Sequence, residues 1–203
     1  MAIEEATYTV VERDGEFEIR DYAPHVVAET VVAGAFDRAG NEAFSRLFRY
    51  ISGDNRSRHK VAMTAPVSQE PTGEKIAMTA PVGQQPAEDR WVVSFTMPAS
   101  SALETLPEPE DPQVTLRQVP ARRMAALRYS GFWTETSYLR QRLKLESWVR
   151  TRGLRLAGDP VWARYNSPFA PWFLRRNEIL IPVDGDGSHG AAQSDETRKP
   201  EPR

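Results

Sequence analysis

The chain has 203 residues, 40% hydrophobic and 27% charged, with a formal net charge of −2. This is an ordinary composition for a globular protein, long enough for one domain with a sizeable core or two small ones, and its near-neutral charge offers no electrostatic case for nucleic acid or an acidic membrane. Cysteine is absent, which excludes disulfides, thiol nucleophiles, iron–sulfur clusters and thiolate metal ligands, and no apolar run reaches the roughly 20 residues that a membrane helix needs.

Met1 to Glu5 carry neither a basic nor an apolar leader segment, so the expected location is the cytoplasm. Phe17 and Ile19 alternate with charges as a strand does, and Val26 to Ala33 is β-branched and largely apolar. A first helix is predicted from about Arg38 to Ser52, capped by Asp37 and stopped at Gly53. Ala43, Phe44, Leu47, Phe48 and Ile51 fall on one arc of it, with Arg46 and Arg49 outside; Gly40 weakens its first turn. Then comes a near-exact local repeat: Val61-Ala62-Met63-Thr64-Ala65-Pro66-Val67 returns fifteen positions later as Ile76-Ala77-Met78-Thr79-Ala80-Pro81-Val82, across a polar Pro/Gly turn. Proline cannot donate to a strand ladder, so each copy belongs at a strand end, edge or bulge, and Met63 and Met78 read as core fill.

Trp91, Val93, Phe95 and Met97 share one face of a further strand that Pro98 ends. Thr105 to Pro112, with three prolines and three acids, reads as an extended connector that cannot be helix. Beyond it the predicted elements are Met124 to Tyr129 as strand, a second helix from about Glu135 to Arg152 capped by Thr134 and stopped at Gly153, and strands at Val161 to Tyr165 and Glu178 to Val183. The apolar set of this second helix is broad: Tyr138, Leu139, Leu143, Leu145, Trp148 and Val149. Residues 184–203 are rich in Gly, Ser, Asp, Glu and Pro and read as a disordered tail.

A looser repeat spans the connector. At an offset of 97, Ile19 meets Leu116, Ala28 meets Ala125, Gly34 meets Gly131, Phe36 meets Trp133 and Asp37 meets Thr134. The expectation is a single domain over residues 1–183, with pseudo-repeats at about 7–98 and 113–183. Its fold class is α+β: two pseudo-symmetric βαβ-type halves forming a distorted sheet or barrel of about eight strands with two helices.

The ordered motifs carry a resemblance. Phe17-Glu18-Ile19-Arg20-Asp21-Tyr22, Tyr50-Ile51-Ser52-Gly53-Asp54-Asn55, the two Ala-Met-Thr-Ala-Pro-Val copies, Phe95-Thr96-Met97-Pro98, Tyr165-Asn166-Ser167-Pro168 and Arg176-Asn177-Glu178-Ile179 follow one another as in the SOUL/heme-binding-protein family. The paired heptapeptide is similar to the version found in many microbial members. The resemblance implies the same fold, a relationship to effector-binding domains of multidrug-sensing regulators, and a non-enzymatic protein that binds heme or another tetrapyrrole as carrier, buffer or sensor.

It also directs attention to particular residues. In some members a histidine follows the first strand's Glu-x-Arg and is proposed as axial ligand; here that position is Asp21, a poor substitute for imidazole, so porphyrin binding without a histidine ligand is implied. His25 reads as a surface or capping residue, His59 lies in a basic loop and His189 in the tail, and no metal pair is evident. Other members hold the porphyrin in a groove beside the first helix, which points to Phe44, Leu47 and Phe48 as apolar wall and to Arg49 for the carboxylates, with Phe48 the most exposed of them. Two alternatives stay open: a module for another planar hydrophobic molecule, and a hydrolase of the wider duplicated fold. For the latter the acids lying in apolar strands are Glu29 and Glu178, both read as pointing outward or pairing with arginine.

Overall fold

The computed structural model describes residues 4–57, 73–166 and 170–184. The first heptapeptide copy with Met63, and also His59 and His189, lie outside the described residues, as does the expected tail apart from Asp184, which closes the last strand. In chain order the strands are β1 (Glu4–Glu5), β2 (Tyr8–Asp14), β3 (Phe17–Tyr22) and β4 (His25–Ala33), followed by helix α1 (Phe36–Ser52). β5 (Asn55–Arg56), β6 (Thr79–Ala80), β7 (Val82–Ala87), β8 (Arg90–Thr96), β9 (Glu108–Pro109), β10 (Thr115–Val119) and β11 (Arg122–Tyr129) lead to helix α2 (Glu135–Thr151). β12 (Arg155–Leu156), β13 (Val161–Arg164), a 3-10 turn (Trp172–Leu174) and β14 (Asn177–Asp184) complete the description.

The fold is α+β: two helices on one curled antiparallel sheet that forms a half-barrel. Its strand order is β10-β4-β8-β7-β13-β14-β11-β3-β2, with β12 added on β14. β10, from after the connector, thus sits on β4, while β3, from before it, sits on β11. Among the described residues the main sheet has ten strands rather than about eight. β2 left no pattern in the sequence because it is an edge strand, exposed along most of its length and held by its ladder to β3.

Strand alternation divides the sheet into two faces. On the helix face, Val26, Ala28, Val32, Val93 and Phe95 pack against Ala39, Ala43, Leu47 and Ile51 of α1. Ile19, Ala125, Leu127, Ile179 and Ile181 pack against Tyr138, Leu145, Trp148 and Val149 of α2. Leu139 and Leu143, assigned to the apolar set from sequence, are exposed, because a helix lying on a sheet buries one stripe and these two fall outside it. Phe36 joins the two halves of the core. Its ring stacks on Trp162 at 4.5 Å and on Tyr138 at 5.6 Å, and meets Trp91 edge-on at 5.1 Å.

That ring corrects the expected start of α1. The helix begins at Phe36, with Ala35 at the cap position making no side-chain cap bond, so Asp37 lies inside the first turn rather than at the cap. Burial of Phe36 outweighs the capping signal. Thr134 does cap α2, accepting from the Ser137 amide at 3.2 Å. Gly53 ends α1 at φ +124°, a conformation that only glycine adopts readily. The connector is extended as expected, but it is docked: Leu106 is buried, the Pro107 carbonyl accepts from the Tyr50 hydroxyl at 2.9 Å, and β9 pairs with β5. The second heptapeptide copy runs into β6 and β7 with Pro81 at their junction, while Met78 is exposed and not core fill.

No helix among the described residues is long and apolar enough to cross a membrane. In urea unfolding, Phe36→Ala should cost about 3–5 kcal/mol, as large aromatic truncations in cores do. Ala35→Ser should stabilise by about 1 kcal/mol, since the extended backbone at Ala35 suits a cap whose side chain is missing.

Candidate functional site

The predicted ligand residues lie along α1, and the structure separates them. Leu47 is fully buried beneath the helix and belongs to the core, as its place on the apolar arc requires. Phe44 is half-buried and Phe48 is 46% exposed; their rings stack at 5.9 Å with an 11° interplanar angle, one turn apart. Arg49 is exposed and, among the described residues, held by long ion pairs, 3.5 Å to Asp111 and 4.0 Å to Asp54. Arg46, just inside it, is anchored by Thr30 Oγ1 at 2.8 Å and by Glu42 and Asp111.

Phe44 and Ser45 form the ridge between two depressions. One is an open dish of about 570 Å³ bounded by Phe48, Arg46 and Arg49. The other is a groove of about 300 Å³ between α1 and the segment leading into α2, lined by Asn41, Val82, Gln84, Val93, Trp133 and Arg164. Both reach the range of roughly 300–1,000 Å³ typical of small-molecule sites.

Trp133, Gln84 and Arg164 were not singled out from sequence, although Trp133 falls opposite Phe36 in the offset of 97. The Trp133 indole donates to Asn177 Oδ1 at 2.7 Å. Arg164 lies over the Trp162 ring at 4.0 Å and donates to Gln84 Oε1 at 2.5 Å. Gly40, which costs helix propensity, sits where these groups approach α1: a Cβ there would lie 3.0 Å from both Arg164 Nη2 and Gln84 Oε1.

The groove and dish suit a flat apolar body with acidic substituents, since aromatic rings lie between arginines at either end. Among the described residues lining them there is no His, Met or Tyr to ligate iron, and among the described residues no cluster of three or more His, Asp or Glu could hold a metal ion. Asp21 is committed elsewhere, to a bidentate pair with Arg123 at 2.8 and 2.9 Å that holds its carboxyl below the usual carboxylate range. His25 is half-buried on the opposite face of the sheet, with Nδ1 3.0 Å from the Ala23 carbonyl, and burial lowers its pKa.

The two candidate acids are both paired with arginine. Glu29 forms a bidentate pair with Arg117 at 2.9 and 2.7 Å. Glu178 is wholly buried and does not point outward. It accepts from Arg20 at 2.6 and 3.1 Å, from the Tyr165 hydroxyl at 2.8 Å and from Arg176 at 3.1 Å. Burial alone would raise the Glu178 pKa, but Arg20, Arg176 and Tyr165 outweigh it and hold the carboxyl below its ordinary value of 4.5. Burial and the Glu178 charge drive the Tyr165 hydroxyl well above the usual phenol value.

The class of protein is therefore an α+β half-barrel with a solvent-facing groove along its first helix. The same fold occurs in a Listeria innocua hydrolase, with a TM-score of 0.54 and 12% identity over 86% of this chain and 94% of the other. It occurs also in the EcmrR C-terminal domain, with a TM-score of 0.54 and 12% identity over 87% and 98%; at such identities the likeness concerns fold alone. The SOUL heme-binding protein model matches residues 3–182, and the chain belongs to this family. Human Heme-binding protein 2 is 27% identical over 176 residues, 81% of this chain and 80% of its own length. Membership supports heme or porphyrin binding at the level of the family.

Removing one partner of the buried cluster, as in Arg20→Met, should cost about 3–5 kcal/mol by stripping the buried Glu178 carboxylate of its bidentate partner. Because the folded Glu178 pKa is depressed, the stabilisation from its ionised form is fully present above about 4.5 and is lost as pH falls through the lower folded value. Thermal unfolding followed from neutral pH to about pH 3 should show this decline, and Glu178→Gln should remove its share of the slope.

Proposed function

We propose that this protein binds heme or a related tetrapyrrole in the groove and dish along α1, and acts as a carrier, buffer or sensor rather than as an enzyme. The observation that carries this reading is the stacked Phe44–Phe48 pair set between Arg46 and Arg49 on one side and Arg164 on the other. A tetrapyrrole has the matching form, a flat apolar macrocycle with two carboxylates. Phe48 and Phe44 would contact its face, and Arg49, whose present ion pairs are long and exposed, would exchange Asp111 for a ligand carboxylate. Bound heme would bring redox-active iron; the described lining residues contribute orientation and charge but no imidazole, thioether or phenolate donor.

The non-enzymatic reading is supported by Glu178, one of the two candidate acids of a hydrolase. A carboxylate that already accepts from two arginines and a tyrosine has neither a proton to give nor a free lone pair for water. The lack of such a donor among the described lining residues also favours a second reading, in which another planar hydrophobic molecule occupies the same groove, and the test separates the two.

Titration with hemin, followed at the Soret band, should give a saturable shift at micromolar protein. Metal-free protoporphyrin should bind within a factor of about three, since iron ligation contributes little. Phe48→Ala should weaken both about tenfold, roughly 1.4 kcal/mol, and Arg49→Gln by a smaller factor. No saturable shift with either porphyrin would remove the tetrapyrrole reading, and stabilisation by other planar dyes in its place would support the second.

A further inference from the structure

The face of the sheet turned away from the helices holds a cleft of about 60 Å³. Its floor is apolar, formed by Val27, Val119, Met124, Val161 and Leu180, and Tyr22 closes one side. Its polar wall is basic. Arg117 and Glu29, which both line it, neutralise one another through their bidentate pair. Arg122 lines it too, half-buried, and among the described residues it makes no hydrogen bond or ion pair with any carboxylate. Arg117, Arg122 and Glu29 sum to one positive charge.

His25, on the rim, adds no counter-charge. Its Nδ1 donates to the Ala23 carbonyl, and burial together with the two arginines disfavours its cation. Burial and the neighbouring Arg117 likewise press on the Arg122 guanidinium, with only the Tyr22 hydroxyl opposing them. A half-buried cation without a counter-ion is unfavourable, and an anion bound beside it relieves that cost. The volume limits how much of an anion is enclosed. A water's share of liquid volume is about 30 Å³ and a cavity of about 150 Å³ holds benzene, so the enclosed part of this cleft is smaller than an aromatic ring.

We propose that the cleft is a second site, separate from the α1 groove, for a small carboxylate with a short apolar body, of about propionate size. The carboxylate pairs with the Arg122 guanidinium, and the alkyl group lies on Val27, Val119 and Met124. Guanidinium–carboxylate pairing gives the charge selectivity, and the closed apolar floor sets the length.

The test is a titration of the purified full chain with sodium propionate at constant ionic strength, following the Met124 and Leu180 methyl resonances, with propionamide as neutral isostere. Propionate should shift both methyls saturably, and propionamide should bind at least about tenfold more weakly. Arg122→Gln should weaken propionate about tenfold at an unchanged unfolding midpoint, Arg122→Lys should recover part of the loss, and Phe48→Ala should have no effect. Absence of saturation by about 50 mM propionate, equal binding of acid and amide, or full affinity in a folded Arg122→Gln variant would each overturn the proposal.

Discussion

Much of this structure depends on one aromatic contact, the stacking of Phe36 on Trp162 at 4.5 Å. Phe36 is the first residue of α1, and Trp162 stands on β13 in the later part of the chain. Tyr138 of α2 and Trp91 of β8 close around the same ring. Such pairs add roughly 0.5–1.5 kcal/mol each beyond the area they bury, and here three of them converge on one side chain. The contact sets where α1 begins and how close it comes to the α2 entry segment. The Phe36 carbonyl is bound as well, by Gln84 Nε2 at 3.0 Å, and Gln84 in turn receives Arg164. The groove beside α1 is the space left over from this arrangement, and Gly40 keeps it free of a side chain.

The two faces of the sheet are built from different physics. The helix face is apolar and continuous, and its groove is lined by rings and by arginines with solvent access. The opposite face buries charge. Arg20 and Glu178 meet inside it, with Glu18, Tyr22, Tyr165 and Arg176 completing their hydrogen bonds. A buried ion pair gains little over apolar packing unless its lone pairs and protons are used, and here Arg20 donates four hydrogen bonds and Glu178 is bound by Arg20, Tyr165 and Arg176. The cluster ties β3 to β14 across β11 between them, which fits a structural duty for Glu178 better than a chemical one.

Parts of this were legible in the residues. The β-branched run at Val26 to Ala33 and the alternation from Trp91 to Met97 marked their strands, because a buried sheet face imposes a period of two. Thr134 marked the start of α2, because its cap bond is local. The arc of α1 placed Leu47 inward and Phe48 at the edge, as found. Non-local partners left weaker traces. The helix start at Phe36, the exposure of Leu139, Leu143 and Met78, and the docking of the acidic connector all turn on what lies opposite in space. Trp133, Gln84 and Arg164 were hidden as groove residues for the same reason: each is unremarkable in its own segment.

By itself, then, the sequence determined the fold class, the family and most of the elements, since periodicity, caps and turn residues act over a few positions and the ordered motifs span the chain. Only the tertiary structure decided how the acids are neutralised and which arginines stand beside a groove or cleft. Those outcomes depend on pairs such as Arg20 with Glu178, 158 positions apart, or Arg164 with Gln84, 80 apart. The energy of a buried charge or an exposed ring is set by its neighbours in space, and no local pattern encodes them.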